Sequence, residues 1–159
     1  MRLSEIVESR KPRIGVRDVN DRIRRIMPMD NVGRSEVQSA YEDIMSSAEF
    51  ENGKMTVYRG MTVEQNWLTN LKPDENLGRY WAYERQGTFM GSWDKPNVIF
   101  TALVDPSNID WTTTVAQWIA IGGEYEITLG GVQVVLKSIE ILKGDPMDFS
   151  SLYGQSFWT

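Results

Sequence analysis

Residues 124–142 read EYEITLGGVQVVLKSIEIL, and this stretch decides the fold class. Apolar and polar residues alternate in it and β-branched residues are frequent, which is typical of β-strands. The pair Gly130-Gly131 divides the stretch, and a glycine pair between two extended runs is a strong hairpin signal. The pattern therefore predicts two neighbouring antiparallel strands, 124–129 and 132–142.

Extended segments upstream of this stretch indicate that the sheet is larger. Residues 62–70 fit a short helix in which Trp67 and Leu68 pack inward. The stretch 111–121 is ambiguous, because its β-branched residues favour a strand while its apolar spacing also fits a helix. Three further strands are predicted: Met55–Tyr58, which runs into Arg59-Gly60, then Gly78–Tyr83 and Asn97–Val104.

The first 50 residues have helical periodicity instead. Three helices are predicted, the first ended by Pro12, the second capped by Asp18 and ended by Pro28, the third opened by a capping box at Ser35. Their apolar stripes are Leu3, Ile6 and Val7; Val19, Ile23, Ile26 and Met27; and Val37, Tyr41, Ile44 and Ala48.

Helices first and a mainly antiparallel sheet second predict an α+β fold. A length of 159 residues fits a single domain, 1–159. Within it we expect a helical segment 1–50, a β-rich core 54–142, and a tail 143–159 that docks on the core through its final aromatic residues.

The composition excludes several kinds of chemistry. The chain contains no cysteine and no histidine, which removes thiolate nucleophiles, Ser/His/Asp triads, cysteine-based zinc sites and disulfides. An enzyme built from this sequence has to work with carboxylates, arginine, lysine, hydroxyls and aromatic rings. That set suits the positioning of a reactive cofactor, or carboxylates acting on a glycosidic bond, better than hydrolysis by a triad.

Charge is distributed unevenly along the chain. Residues 1–34 hold nine Lys and Arg against five Asp and Glu, whereas 35–159 hold eight against seventeen. The basic arm could contact an acidic partner or nucleic acid, or it could be an ordinary solvated helix face. No run reaches the length of a membrane span and the first residues lack a signal-peptide core, so a cytoplasmic protein is expected, in the producing or the infected cell.

Three motifs could carry chemistry. Strand alternation places Glu124 and Glu126 side by side on one face, either as paired functional carboxylates or as part of an exposed polar face. Arg59 ends an apolar strand before Gly60, which suits phosphate binding with close ligand approach, or is an ordinary strand exit. Aromatic residues crowd 78–83, where they either fill the core or stack on a flat ligand.

The order and spacing of these motifs resemble the ADP-ribosyltransferase superfamily, in its Arg-Ser-Glu branch of bacterial or phage type. Tyr58-Arg59-Gly60 matches its aromatic-Arg strand, and Glu124-Tyr125-Glu126-Ile127 matches its Glu-x-Glu strand. The branch usually carries Ser or Thr on the strand between them, where this chain has Tyr80-Trp81-Ala82-Tyr83. The other large branch uses His-Tyr-Glu, which a chain without histidine cannot supply.

The resemblance implies a split β-sheet core of the ADP-ribosyltransferase type that binds NAD as substrate and needs no metal. Glu126 would contact the ribose and offset its developing positive charge, and Arg59 with Gly60 would hold the pyrophosphate. Tyr80 or Trp81 would pack on the nicotinamide. Glu124 would orient or deprotonate a protein acceptor, possibly an arginine, so Glu124→Ala is expected to impair transfer and spare hydrolysis.

Two other functions stay open from the sequence. One is an NAD glycohydrolase on the same fold, with water as the acceptor. The other is a non-enzymatic binding protein, such as a phage-type accessory or inhibitor, in which residues 1–50 dock on a partner and the sheet is a scaffold.

Overall fold

A computed structural model describes residues 12–72, 75–89, 96–122 and 125–142. These residues form four α-helices and a six-stranded antiparallel sheet, which confirms the α+β class. The helices are α1 (Val16–Ile26), α2 (Arg34–Ser47), α3 (Gln65–Thr69) and α4 (Trp111–Ile121). The strands are β1 (Phe50–Glu51), β2 (Lys54–Met61), β3 (Tyr80–Ala82), β4 (Val98–Val104), β5 (Glu126–Thr128) and β6 (Val135–Ile141). Short 3-10 helices lie at Arg85–Phe89 and Pro106–Asn108.

Helices α1 and α2 begin at glycines. Gly15 and Gly33 are the N-cap residues and neither helix has a side-chain cap, so the caps predicted at Asp18 and Ser35 are wrong. Both residues lie inside the first helical turn, where a side chain cannot take the capping position.

The predicted helix before Pro12 and the docking of 143–159 lie outside the described residues. No described helix has the length and apolar character needed to cross a membrane.

The apolar stripe of α1 is shorter than its sequence pattern predicts. Val19 and Ile23 are buried in the core, whereas Ile26 and Met27 are exposed. Met27 is the C-cap residue with an extended backbone, so the chain leaves the helix before its last turn meets the core. The stripe of α2 is buried at its first three predicted positions: Val37, Tyr41 and Ile44.

The ambiguous stretch 111–121 is a helix, α4, and it closes the outer edge of β5. The Asp110 carboxylate accepts a hydrogen bond from the Thr113 backbone N–H (3.1 Å), which caps the helix. The Asp110 N–H donates to the Thr128 carbonyl (2.8 Å), and the Thr128 N–H donates to the Thr114 hydroxyl (3.1 Å). Helix α4 and its N-cap residue thereby satisfy both outward backbone groups of Thr128, which an open edge strand leaves unpaired.

The sheet has the strand order β5-β3-β2-β4-β6, with β1 beside β2. Strands β2 and β4 pair over seven positions, from Met55 opposite Val104 to Met61 opposite Val98. Strands β2 and β3 pair only where Tyr58 lies opposite Ala82. The two strands therefore separate beyond this pair, and we call the gap between them the split.

The predicted hairpin at Gly130-Gly131 is wrong. Strand β5 pairs with β3 and β6 pairs with β4, so the two strands lie at opposite ends of the strand order. The glycines serve close packing instead: an added Cβ at either residue would lie 3.2 Å from an Asn108 oxygen. The Asn108 side chain accepts from the Gly131 N–H (2.9 Å) and donates to its carbonyl (3.2 Å).

Strand alternation divides the side chains of the sheet between two faces. One face is the apolar core, with Val57, Trp81, Phe100 and Ile127 all buried. Residues directly opposite one another in neighbouring strands share a face. The second face therefore carries the row Tyr58, Ala82 and Glu126, which crosses β2, β3 and β5.

Candidate functional site

The three motif strands are neighbours in the sheet. Strand β3 carries the aromatic motif and lies between β2, which carries Arg59, and β5, which begins at Glu126. These three strands, which come from distant parts of the sequence, therefore lie within about 10 Å of one another, the span of two strand spacings.

Arg59 lies in the split between β2 and β3. Its Nη1 donates to the Tyr80 carbonyl at 2.5 Å. Its Nε is buried and has no hydrogen-bond partner among the described residues. A buried N–H without a partner costs free energy, so a group that accepts from it would be favoured at this position.

The charges of Arg59 and Glu126 act on each other. Burial lowers the pKa of the Arg59 guanidinium, and the negative charge of Glu126 opposes that shift. Arginine stays cationic at physiological pH, so the pair sets a positive and a negative group on either side of β3. By strand register Arg59 lies opposite Phe100, on the other face of the sheet from Glu126, and the two charges interact across β3.

The two aromatic candidates on β3 have opposite environments. Tyr80 is 53% exposed, whereas Trp81 is 2% exposed and part of the hydrophobic core. The Trp81 indole N–H donates to the Gly78 carbonyl at 3.1 Å. Tyr80 is therefore the ring that a ligand can reach, and Trp81 is a core residue because strand alternation turns it to the other face.

Gly60 makes room for a neighbouring segment of the protein. An added Cβ at this position would lie 2.9 Å from Pro96 Cγ and 3.1 Å from the Thr88 carbonyl oxygen. The close approach that the sequence assigned to a ligand is thus made by the segments on either side of residues 90–95. Gly60 shapes the site by allowing these segments to lie on the sheet.

Gly60→Ala is expected to destabilise the protein by about 1–3 kcal/mol, because the new methyl group overlaps atoms that include a backbone carbonyl. Urea unfolding followed by tryptophan fluorescence measures this loss. Gly33→Ala is the control, since nothing lies within 4 Å of an added Cβ there. Equal stability of Gly60→Ala and the wild type would contradict the prediction.

Tyr58 and Arg85 form a polar cluster that the sequence did not reveal. The Tyr58 hydroxyl donates to Glu49 at 3.1 Å. Burial, with the hydrogen bond and charge of Glu49, raises the pKa of Tyr58 to about 12, and Arg85 opposes the shift. Arg85 in turn donates two hydrogen bonds to Glu140, at 2.7 and 3.1 Å, which ties the 3-10 helix at Arg85–Phe89 to β6.

The raised pKa of Tyr58 predicts a pH dependence of stability. The folded state favours the neutral phenol, so its contribution is complete below pH 10 and is lost as pH rises through about 12. Between pH 9 and 12 the wild type is expected to lose more unfolding free energy than Tyr58→Phe, which has no phenol to ionise. Denaturant titrations of both proteins at each pH measure the difference; parallel curves would refute it.

Strand β5 begins later than its sequence pattern predicts. Tyr125 has a φ of 59°, in the left-handed region, so regular alternation starts at Glu126. Ile127 and Leu129 are buried, as the alternation predicts. Tyr125 interrupts the extended geometry on which the side-by-side arrangement of the two glutamates was based, and Glu124 itself lies outside the described residues.

A large cavity lies away from this site. Its volume is about 610 Å³, and its lining includes Lys54, Lys72, Leu77, Asp105 and Leu136 but none of the predicted site residues. The space enclosed beside Glu126 by Gln117, Trp118, Ile121 and Tyr125 is only about 10 Å³. No group of three or more acidic side chains in the described ranges is arranged to hold a metal ion.

Comparisons of the chain with protein-family models, curated proteins and solved structures found no match. The function is therefore argued from the site itself, which combines a fixed guanidinium, an exposed phenol ring and a half-buried carboxylate. These groups suit a ligand with an anionic part, a flat ring, and a centre on which positive charge develops.

Proposed function

We propose that this protein is an NAD-dependent mono-ADP-ribosyltransferase that modifies a protein acceptor. The adjacency of the three motif strands supports this most directly. Arg59, Tyr80 and Glu126 are spread over more than sixty residues of sequence, yet they occupy neighbouring strands. Interaction between the Arg59 and Glu126 charges adds to the support.

Each candidate residue is assigned one part of NAD in this proposal. Arg59 would bind the pyrophosphate with the guanidinium donors that the Tyr80 carbonyl leaves available. The exposed Tyr80 ring would stack on the nicotinamide, and Glu126 would accept hydrogen bonds from a ribose hydroxyl. NAD supplies the leaving group, because its nicotinamide is already cationic and departs as a neutral ring.

Glu126 carries the catalytic part of the proposal. As the bond between ribose and nicotinamide breaks, positive charge grows on the ribose, and a nearby carboxylate stabilises that charge more strongly than it does the ground state. Glu126 is half-buried, where an electrostatic interaction is screened less than at the open surface. Its backbone is held in the sheet by pairing with Ala82.

A protein guanidinium is the acceptor that we propose. In the transfer, the acceptor nitrogen forms a bond to the ribose carbon that nicotinamide leaves, and the acceptor loses a proton to a base. Glu124, two residues before Glu126, is the proposed base. The acidic composition of 35–159, with eight basic against seventeen acidic residues, would also attract a cationic acceptor.

Incubation of the protein with NAD labelled in its adenylate part and a cell lysate tests the proposal. Label is expected on one or a few lysate proteins, together with release of nicotinamide. Labelled free ADP-ribose serves as the control for non-enzymatic attachment. Release of ADP-ribose without labelled protein would show a glycohydrolase instead. No release of nicotinamide, together with no shift in melting temperature on adding NAD, would overturn the proposal and favour a binding protein.

A further inference from the structure

We propose that Gly78 is a positioning residue, which forms with Asn76 and Trp81 a socket that holds the Arg59 guanidinium in the split. Through Arg59 the socket would set the affinity for NAD, and this consequence rests on the proposed function. The socket itself is a matter of packing and hydrogen bonding, so it can be tested without NAD.

Two side chains hold the Gly78 backbone. Its N–H donates to the Asn76 carboxamide oxygen at 2.8 Å, and its carbonyl accepts from the Trp81 indole N–H at 3.1 Å. Its φ is +91°, which other residues rarely adopt. The buried Trp81 indole therefore reaches back three residues along the chain and secures the glycine backbone.

The Arg59 guanidinium lies directly beside the space that a Cβ at position 78 would take. An added Cβ on Gly78 would lie 3.3 Å from Nη2 and 3.4 Å from Cζ of Arg59. The distance to Nη2 is tighter than ordinary packing, so the guanidinium would have to shift by a few tenths of an ångström. Glycine therefore allows the guanidinium to lie directly against the β3 end of the split.

The socket fixes a side chain that is otherwise flexible. Ordering an arginine side chain costs rotamer entropy, because it has many rotatable bonds. Contact with Gly78 and the hydrogen bond to the Tyr80 carbonyl order the Arg59 side chain in the folded protein, before any ligand binds. A guanidinium held in this way binds an anion more tightly than a mobile one, because less freedom is lost on binding.

Gly78→Ala and Gly53→Ala are a matched pair that separates backbone strain from the socket. Gly53 also has a positive φ, +79°, but nothing lies within 4 Å of an added Cβ. Both variants are expected to lose comparable stability. Only Gly78→Ala is expected to raise the KM for NAD, by about tenfold, with kcat changed by less than about threefold. Trp81→Phe removes the N–H that secures Gly78 and should raise KM in the same direction.

The Arg59 Nε–H signal in a ¹⁵N NMR spectrum, assigned by its loss in Arg59→Lys, provides the test without NAD. We expect slow hydrogen exchange of this signal in the wild type and Gly53→Ala, and fast exchange in Gly78→Ala. Equal exchange in the two glycine variants, or equal KM values, would overturn the socket. Protected exchange in a wild type that neither binds nor cleaves NAD would uphold the socket and refute the proposed function.

Discussion

Glu126→Gln is expected to lower NAD turnover by about 10²-fold or more and to leave the fold intact. Glutamine keeps the length and most of the hydrogen bonding of glutamate but removes the charge that would stabilise the cationic ribose. Loss of the counter-charge to Arg59 is expected to cost at most about 1 kcal/mol of stability, because Glu126 is only half-buried. Nicotinamide release under saturating NAD measures turnover, and thermal unfolding checks the fold.

Glu64→Gln is the matched control for this experiment. Glu64 precedes α3, is exposed, and makes no side-chain capping hydrogen bond. It undergoes the same chemical change outside the site, so its turnover is expected to equal that of the wild type. A Glu126→Gln protein that cleaves NAD at the wild-type rate would remove Glu126 from the catalytic role.

Arg59→Ala is expected to raise the KM for NAD by about 10- to 100-fold, the range for losing hydrogen bonds to a charged group. It also removes the donor to the Tyr80 carbonyl and opens a space in the split, so a stability loss of about 1–2 kcal/mol should accompany it. Steady-state kinetics of nicotinamide release, with urea unfolding in parallel, separates the two effects.

Two further variants test whether the shape and the position of the Arg59 guanidinium matter, or only its charge. Arg59→Lys keeps the charge but lacks the planar fork, so it cannot bond to Tyr80 and present the same donors to a pyrophosphate; we expect it to recover only part of the affinity. Arg17→Ala removes a cation from the exposed surface of α1 and should leave KM unchanged. A wild-type KM in Arg59→Ala would exclude Arg59 from NAD binding.

Periodicity predicted most of the elements because it reports which side of a segment is buried. Helices α1 to α3 and strands β2 to β4 lie where apolar spacing placed them. The stretch 111–121 is ambiguous in sequence because its β-branched residues favour a strand while its apolar spacing also fits a helix. The Thr113 backbone N–H donates to the Asp110 carboxylate, and this cap favours the helix. Asp110, directly before Trp111, is the sequence feature that could have predicted the start of this helix.

Pairing between strands was harder to predict than the strands themselves. Gly130-Gly131 is compatible with a hairpin. In the fold, however, the absence of side chains at these two residues lets Asn108, more than twenty residues away, lie directly against them. Local sequence does not specify such a contact, because it depends on where β4 ends in three dimensions. The same limit applies to Gly60, whose close neighbours Thr88 and Pro96 come from another part of the chain.

For the candidate site, the sequence suggests residue types by their chemistry, and the fold shows only where those residues lie. Arg59 and Glu126 lie in the strands on either side of β3. The alternation of side chains along a strand predicts that Tyr80 and Trp81 point to opposite faces, so only one of the two rings can be buried in the core. The contact of Gly78 with Arg59 could not be predicted from its sequence context, because it depends on where the Arg59 side chain ends.

The capping of β5 by α4 also affects how this protein meets other polypeptides. An open strand edge recruits extended segments of other chains through backbone hydrogen bonds, whatever their sequence. At Thr128 both outward backbone groups are already bonded, to Asp110 and Thr114. An unfolded or extended chain therefore finds no template for strand addition there. The outward backbone groups of Thr128 are therefore closed to strand addition by a second polypeptide, including another copy of this chain.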